Sequence, residues 1–542
     1  MSRPLRWRLA QLALTLEEDE SQLPLRLAQQ LGLKPEQLAD WRICRRSIDA
    51  RRKQRILRLY TLEFSLQAGV SLPLPAQHMA GLEPVPPPVV APALIRTRRP
   101  RSLVVVGMGP AGLFAALELA QCGHRVRLLE RGAPVEERVP AVAAFWAGGP
   151  LLPDTNVQFG EGGAGTFSDG KLTTRIRHPA TAQVLQTLVD CGAPADILVQ
   201  AKPHVGTDRL RRVLLHFRQR LLALGVELCY HSRLTGLQIE KGCLQGLEWR
   251  DRAGESRYSA CDALVLATGH SARDTYQLLA AAGLELEAKP FAVGVRIEHP
   301  VTAINRMQYG REQHPHLPPA DYALTWNDSV SGRGVYSFCM CPGGEVVQSA
   351  SEPDTVVVNG MSRLRRDGPL SNSALVVTVR PEDFGGLRDP LAGIAFQRRI
   401  EQRACGGPGD YRVPAQNLLD FLGQGRGGDL HSSCRAGLRP AELRELLPDF
   451  VYTLLRQALP QFDRRMRGFV SGAAVLLAPE TRTSAPVRIL RGADLQATRC
   501  CGLYPAGEGA GYAGGIVSAA VDGLRVARQL AADLDDARPS GV

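Results

Sequence analysis

The stretch SLVVVGMGPAGLFAALELAQCGHRVRLLERG, residues 102–132, decides how the rest of the chain is read. An unbroken apolar run comes first, then G-x-G-x-x-G at Gly107, Gly109 and Gly112, then apolar residues at helical spacing, then a second apolar run ending in Glu130. That order predicts strand, tight turn, helix and strand. Gly107 permits the turn, Gly109 lets a pyrophosphate approach the backbone, and Gly112 allows helix and strand to pack closely. Pro110 and Ala111 lie inside the turn, where the N–H groups of the helix N-terminus face the phosphates. At the end of the second strand Glu130, followed by Arg131, can accept hydrogen bonds from both ribose hydroxyls and would repel a 2′-phosphate.

The spacing alone proves little, because it recurs at Gly160, Gly162 and Gly165, at Gly423, Gly425 and Gly428, and at Gly509, Gly511 and Gly514. With 54 glycines in 542 residues some matches arise by chance, so the flanking sequence decides. NVQFGEGGAGTFSDGK, residues 156–171, lacks an apolar strand before it and a helix after it. It reads as a glycine-rich loop running along a cofactor, with Gly162, Gly163 and Ser168 as contacts and Lys171 facing a phosphate or a substrate anion. DFLGQGRGGDLH is followed by no apolar helix and reads as a flexible loop.

Length and composition set the frame. A chain of 542 residues implies about three or four domains of roughly 150 residues each. No apolar run approaches the roughly 18 residues that span a bilayer, and MSRPLRWRLAQLALTLEEDE reaches acids before it forms a signal-peptide core, so a cytoplasmic protein is expected. Twelve cysteines without CxxC pairs indicate neither a disulfide framework nor a metal site, and most are expected to be buried thiols. The net charge of +11 favours anions, whether nucleotide cofactors, acidic substrates or nucleic acid. It concentrates in DWRICRRSIDARRKQRILR, residues 40–58, where eight Arg or Lys face only Asp40 and Asp49. This reads as a solvated helix face, with an RNA or partner surface as the alternative.

Residues 1–80 form a small α/β unit of ferredoxin-like type: LRWRLAQLALTL and ILRLYTLEFSL alternate like strands, and SQLPLRLAQQLGL is apolar at helical spacing. GLEPVPPPVVAPALIRTRRP, residues 81–100, is a proline-rich linker expected to share no core with either neighbour. The domain that follows does not continue as a nicotinamide dehydrogenase would. After a helix near 207–224 come short antiparallel strands, closed by ALVLATG, and the pattern resumes only in GLYPAGEGAGYAGGIVSAAVDGLRVARQLAADL. Such an interruption is that of a flavoprotein of glutathione-reductase type. In that architecture Thr268 and Gly269 close a strand beneath FAD, and Gly507 and Glu508 contact the ribitol and pyrophosphate, although many relatives have Asp at the latter position. The helix starting near Gly514, Gly515 and Ile516 aims its positive end at the flavin pyrimidine edge. Leu234 completes the candidate contacts.

With SIDARRK, GMGPAG, FGEGGAGTFSDGKL, FCMCPGGEVV, NGMS, ETRTSAPVRI and GLYPAGEGAGYAGG, the chain resembles the largely uncharacterised bacterial FAD-dependent dehydrogenases of about this length. The resemblance implies FAD at the positions above and supplies no substrate. The fold expected is α/β: an FAD-binding Rossmann domain in two parts, 101–287 and 466–542, interrupted by an antiparallel-sheet substrate domain, 288–465.

That inserted domain carries the candidates for chemistry. Arg296 and Glu298, two apart on a strand, share a face and read first as an ion pair. Cys339 and Cys341 likewise share a face, as inert thiols or as a redox pair. The adjacent Cys500 and Cys501 would point apart. Arg482 can clamp a carboxylate or phosphate, or tie two domains together. His204 is a base or an interdomain structural histidine. The expectation is an FAD-dependent oxidoreductase passing hydride between a small anionic substrate and flavin N5. NAD(P)H would bind, if at all, without a domain of its own. An RNA-associated flavoprotein and a non-catalytic FAD-stabilised binding protein are the alternatives.

Overall fold

The computed structural model describes residues 5–73, 78–86, 96–425 and 428–536. At its centre is a five-stranded parallel sheet, ordered Leu503–Pro505, Ala263–Leu266, Ser102–Val106, Arg125–Leu129 and Glu227–Cys229. Leu103 and Val105 pack under the helices Pro110–Gln121 and Ile516–Asp536. Val104 and Val106 face the other way, onto Leu234, Leu247 and Tyr276. Because successive strand residues point to opposite faces and both faces are covered, this run has no polar alternation. The covering layer on the second side is the antiparallel meander Arg233–Glu240, Cys243–Arg250 and Ser256–Ala260.

The inserted domain is built on a seven-stranded sheet. Its inner order is Gly334–Cys341, Leu370–Val379, Phe291–Pro300, Val475–Glu480 and Val413–Asn417, antiparallel throughout. Val475–Glu480 was expected in the second part of the Rossmann domain. It pairs instead with Phe291–Pro300, so the inserted sheet runs ten residues or more past 465. Its sequence is apolar enough to suit either sheet, and only the pairing decides.

The N-terminal sheet has the order Leu38–Asp49, Leu57–Leu66, Arg6–Leu14, Leu82–Pro84, with the helix Leu23–Leu31 packed on it. This is the ferredoxin-like strand order. Two expectations change here. The basic run at 40–58 is an edge strand and turn, not a helix, because it pairs with Leu57–Leu66 and places Arg42 opposite Glu63, 2.5 Å away. The proline-rich segment is not wholly a linker either, since Leu82–Pro84 pairs with Arg6–Leu14; residues 87–95 of it lie outside the described residues. A third correction concerns the cysteines: Cys243 and Cys501 form a disulfide between the meander and the approach to Leu503–Pro505. They are 258 residues apart, which no local spacing reveals.

Candidate active site: a cavity at the end of the parallel sheet

The glycine turn is built as its chemistry requires. The Gly107 N–H donates to Leu129 O at 2.7 Å, φ at Gly107 is +106°, and a Cβ there would overlap the Ala267 carbonyl. A Cβ on Gly112 would overlap Gly107 O, so the helix sits against the strand only because that position is bare. Glu130 is buried, and its carboxylate accepts the N–H groups of Met108, Gly132 and Gly160 at 2.8–2.9 Å. Of roughly four acceptor sites this leaves one for a ribose hydroxyl rather than the two bonds expected from sequence. Beside it the Arg131 guanidinium lies 4.4 Å over the Phe159 ring.

The loop 156–171 is held by Arg138 of the helix Val135–Trp146, a residue that no motif singles out. Its fully buried guanidinium donates to the carbonyls of Asn156, Glu161 and Val157. Burial lowers its pKa to about 10, with Glu130 and Glu161 opposing that shift. A guanidinium spent on three backbone acceptors can hold a loop that has almost no side chains of its own.

Turn, loop and sheet end enclose a cavity of about 390 Å³. Gly107, Gly109, Pro110 and Ala111 line one end with Glu130, Arg131 and Leu234. Gly163, Ser168 and Lys171 come from the loop, Thr268 and Gly269 from the end of Ala263–Leu266, and Glu508, Gly514, Gly515 and Ile516 from the return to the sheet. Gly112, Gly162 and Gly507 lie behind the wall; the Gly507 N–H is held by Asp522 at 2.8 Å, a buried acid that no motif singles out.

The other end of the cavity is polar, and the structure redistributes its expected roles. Arg482 lines it, but every guanidinium nitrogen is engaged: Nε and Nη2 by Glu401, Nη1 by Ser271 and Ser351. It therefore ties domains together, and it is not free to clamp a substrate. Arg296 pairs with Glu480 at 2.8 Å, not with Glu298, and also donates to Asn372 and to Cys339 O. Glu298 accepts from the hydroxyls of Ser432 and Ser433 away from the cavity lining, with burial pushing its pKa up. His204 does not line the cavity; its Nε2 lies 3.0 Å from Leu364 O in the inserted domain, the structural alternative.

A bulge between Phe338 and Cys341 breaks the expected alternation of the two cysteines. Cys339, at φ +44°, faces the cavity, and Cys341 is buried behind it with its Sγ 3.4 Å from Cys339 O. A hydrogen bond from Cys341 and the nearby cations Lys171 and Arg296 lower the Cys339 thiol pKa, and Cys341 is correspondingly raised. Lys171 Nζ is buried without a hydrogen-bond acceptor, 3.8 Å from Asp169, whose carboxylate is already held by Arg366 and Ser362.

Several residues of this end escaped sequence reasoning: Asp169, His270, Ser271, Asn359 and Glu480 all line it. Asp169 stood inside SDGK and His270 directly after Thr268 and Gly269, so adjacency alone would have flagged them. His270 Nδ1 is 2.9 Å from Ser271 Oγ; burial, with Arg482 and Arg273 nearby, lowers its pKa to about 3, so it stays neutral. Glu508 moves the other way: burial raises it to about 7, with Lys289 opposing. A raised carboxyl binds its proton more tightly in the folded state than in the unfolded one. Folding stability should therefore fall as pH rises from the ordinary 4.5 to about 7. Thermal unfolding across that window should show the fall in the wild type and a flatter profile in Glu508→Gln.

Three family models match the chain. One, described as FAD-dependent protein, C-terminal domain-like, matches residues 290–483. A pyridine nucleotide-disulphide oxidoreductase model matches 101–283, and a domain of unknown function matches 7–65. An uncharacterised protein of Clostridium beijerinckii is 43% identical over 534 residues, 97% of this chain and 99% of that one. The chain belongs to the FAD-dependent oxidoreductase family.

Among solved structures, the flavin-dependent halogenase CmlS is 15% identical over 81% of this chain and 58% of its own, with TM-score 0.36. A geranylgeranyl bacteriochlorophyll reductase-like protein of Thermoplasma acidophilum is 13% identical over 81% of each chain, with TM-score 0.37. The oxidoreductase has FAD as its cofactor, and the cavity fits that group: two helix N-termini, at Pro110 and Ile516, meet it, and Gly107, Gly109, Gly163, Gly514 and Gly515 expose backbone along its wall. Among the described residues no helix is long and apolar enough to cross a membrane.

Proposed function

We propose that this oxidoreductase transfers hydride between FAD and a small anionic compound held at the polar end of the cavity. The observation that carries the reading is Lys171, whose Nζ is buried on the cavity wall with no hydrogen-bond acceptor. Asp169, 3.8 Å away and already held by Arg366 and Ser362, offers this buried ammonium charge but no hydrogen bond, and a carboxylate or phosphate of the substrate would supply the missing acceptor. Bound FAD supplies the two-electron acceptor or donor. Gly109 and the N–H groups at the start of Pro110–Gln121 would hold its pyrophosphate, Glu130 a ribose hydroxyl, and the start of Ile516–Asp536 the pyrimidine edge, where a positive helix end stabilises negative charge. Glu508, with a proton affinity matched to neutral pH, takes or gives the proton that accompanies hydride. His270, neutral and fixed through Ser271, donates or accepts one hydrogen bond without changing charge. The inserted sheet contributes Phe338, Cys339 and Glu480 to the cavity wall.

The RNA reading is weakened along the basic strand and turn, where Arg42 pairs with Glu63, Arg46 with Glu20 and Arg51 with Asp49, while Arg45, Arg52, Lys53 and Arg55 stay exposed. Any nicotinamide partner would bind transiently in the same cavity.

Titrating the flavin-loaded protein with oxalate or inorganic phosphate should perturb the flavin absorption. Lys171→Ala should weaken that binding about tenfold or more, the value of a lost charge-assisted hydrogen bond, with FAD content unchanged. Equal anion binding in the two proteins would overturn the assignment.

A further inference from the structure

Phe167, at the end of the loop segment Gly163–Phe167, also lines a second cavity of about 400 Å³, which lies against the start of the helix Thr207–Ala223 and the strands Glu345–Gln348 and Val358–Met361. Its floor is apolar: Trp146 and Phe167 meet edge to face at 5.8 Å. Its walls carry charges of both signs. The Arg211 guanidinium lies 5.2 Å over the Phe167 ring, and its Nε is buried with no acceptor. Glu345 receives Arg435 on one carboxylate oxygen at 2.9 Å, and its second oxygen is buried with no donor.

Buried polar atoms are nearly always satisfied, so an empty donor and an empty acceptor on one cavity call for partners inside it. A purely anionic ligand would satisfy Arg211 and repel Glu345; a purely cationic one would do the reverse. Neighbouring groups do not remove the requirement. Asp208, close enough to act on Arg211, accepts the Leu364 N–H, and Arg363 and Arg435 add further positive charge around Arg211.

We propose that this cavity binds a small zwitterion, a compound with an ammonium and a carboxylate on an apolar body. The ammonium meets Glu345, the carboxylate meets Arg211, and the apolar body rests on Trp146 and Phe167. The two cavities are joined at their walls by one hydrogen bond, from Ser362 of this pocket to Asp169 of the other.

The test is calorimetric titration of the flavin-loaded full chain with two zwitterions of different charge separation, L-phenylalanine and ε-aminocaproate. Hydrocinnamate and phenethylamine serve as singly charged counterparts. The expected result is that at least one zwitterion binds, that both singly charged compounds bind about tenfold or more weakly, and that Arg211→Gln and Glu345→Gln each weaken the zwitterion to a similar degree. The comparison among ligands uses wild-type protein and holds even if a variant fails to fold. No heat from either zwitterion overturns the proposal, as does equally tight binding of a singly charged compound or unaltered binding by both folded variants.

Discussion

Replacing Gly107 by alanine is expected to give protein that melts well below the wild type and purifies with little flavin. Two costs add. At φ +106° an alanine sits in a backbone region disfavoured by about 1–2 kcal/mol. The second cost is larger, because the new Cβ would overlap the Ala267 carbonyl and its carbon, which are backbone and cannot swing aside. Ala267 directly follows the strand Ala263–Leu266, which pairs with Ser102–Val106, so relief means parting two central strands. The sum should reach about 3 kcal/mol or more, in the range that only a few named mechanisms produce. The matched control is Gly148→Ala, where φ is +90° but no atom lies within 4 Å of the added carbon. That variant should lose only the conformational term and keep its FAD. If the two variants melt alike and carry flavin alike, close approach at the turn is not what the glycine provides.

Glu401→Gln is the second large expected effect. Glu401 is fully buried between Arg273 and Arg482, themselves almost without exposure, and it accepts from both guanidiniums. Breaking a buried ion network by removing one partner costs about 3–5 kcal/mol, since the remaining charges stay buried and uncompensated. Thermal or denaturant unfolding should show a loss of that size, and a loss under about 1 kcal/mol would contradict the assignment. The pH dependence gives a second readout. Burial works to raise the Glu401 pKa, and the two guanidiniums overcome it, leaving the folded value well below the ordinary 4.5. The contribution is therefore complete above 4.5 and lost as pH falls below it. The variant should have a flatter acid limb than the wild type.

What could be read before folding was whatever local sequence determines. The strand, turn and helix at 102–121 follow from a continuous apolar run and three glycines, each acting within a few residues of itself. The same local logic misled where the deciding partner was distant. Arg296 and Glu298 do share a strand, yet the acid that meets Arg296 is Glu480, brought over by the antiparallel pairing of Phe291–Pro300 with Val475–Glu480. Arg482 lines the cavity, but its freedom depends on Glu401, which nothing near it in sequence suggests. Charge count alone makes the basic run at 40–58 a helix face, whereas its antiparallel pairing against Leu57–Leu66 decides that it is a strand and turn. Cys339 gained its place on the cavity from a bulge, a feature that alternation rules do not contain.

The central claim is that flavin in this cavity exchanges hydride with a small anion held by Lys171. Anaerobic mixing of the flavin-loaded protein with a panel of carboxylates and phosphate esters, NADH and NADPH included, tests it most directly. The account predicts bleaching of the oxidised flavin band by at least one anionic compound, with Lys171→Ala requiring a concentration about tenfold higher or more for the same effect. A flavin that no anionic donor reduces, and that once reduced chemically no anionic acceptor reoxidises, would contradict it.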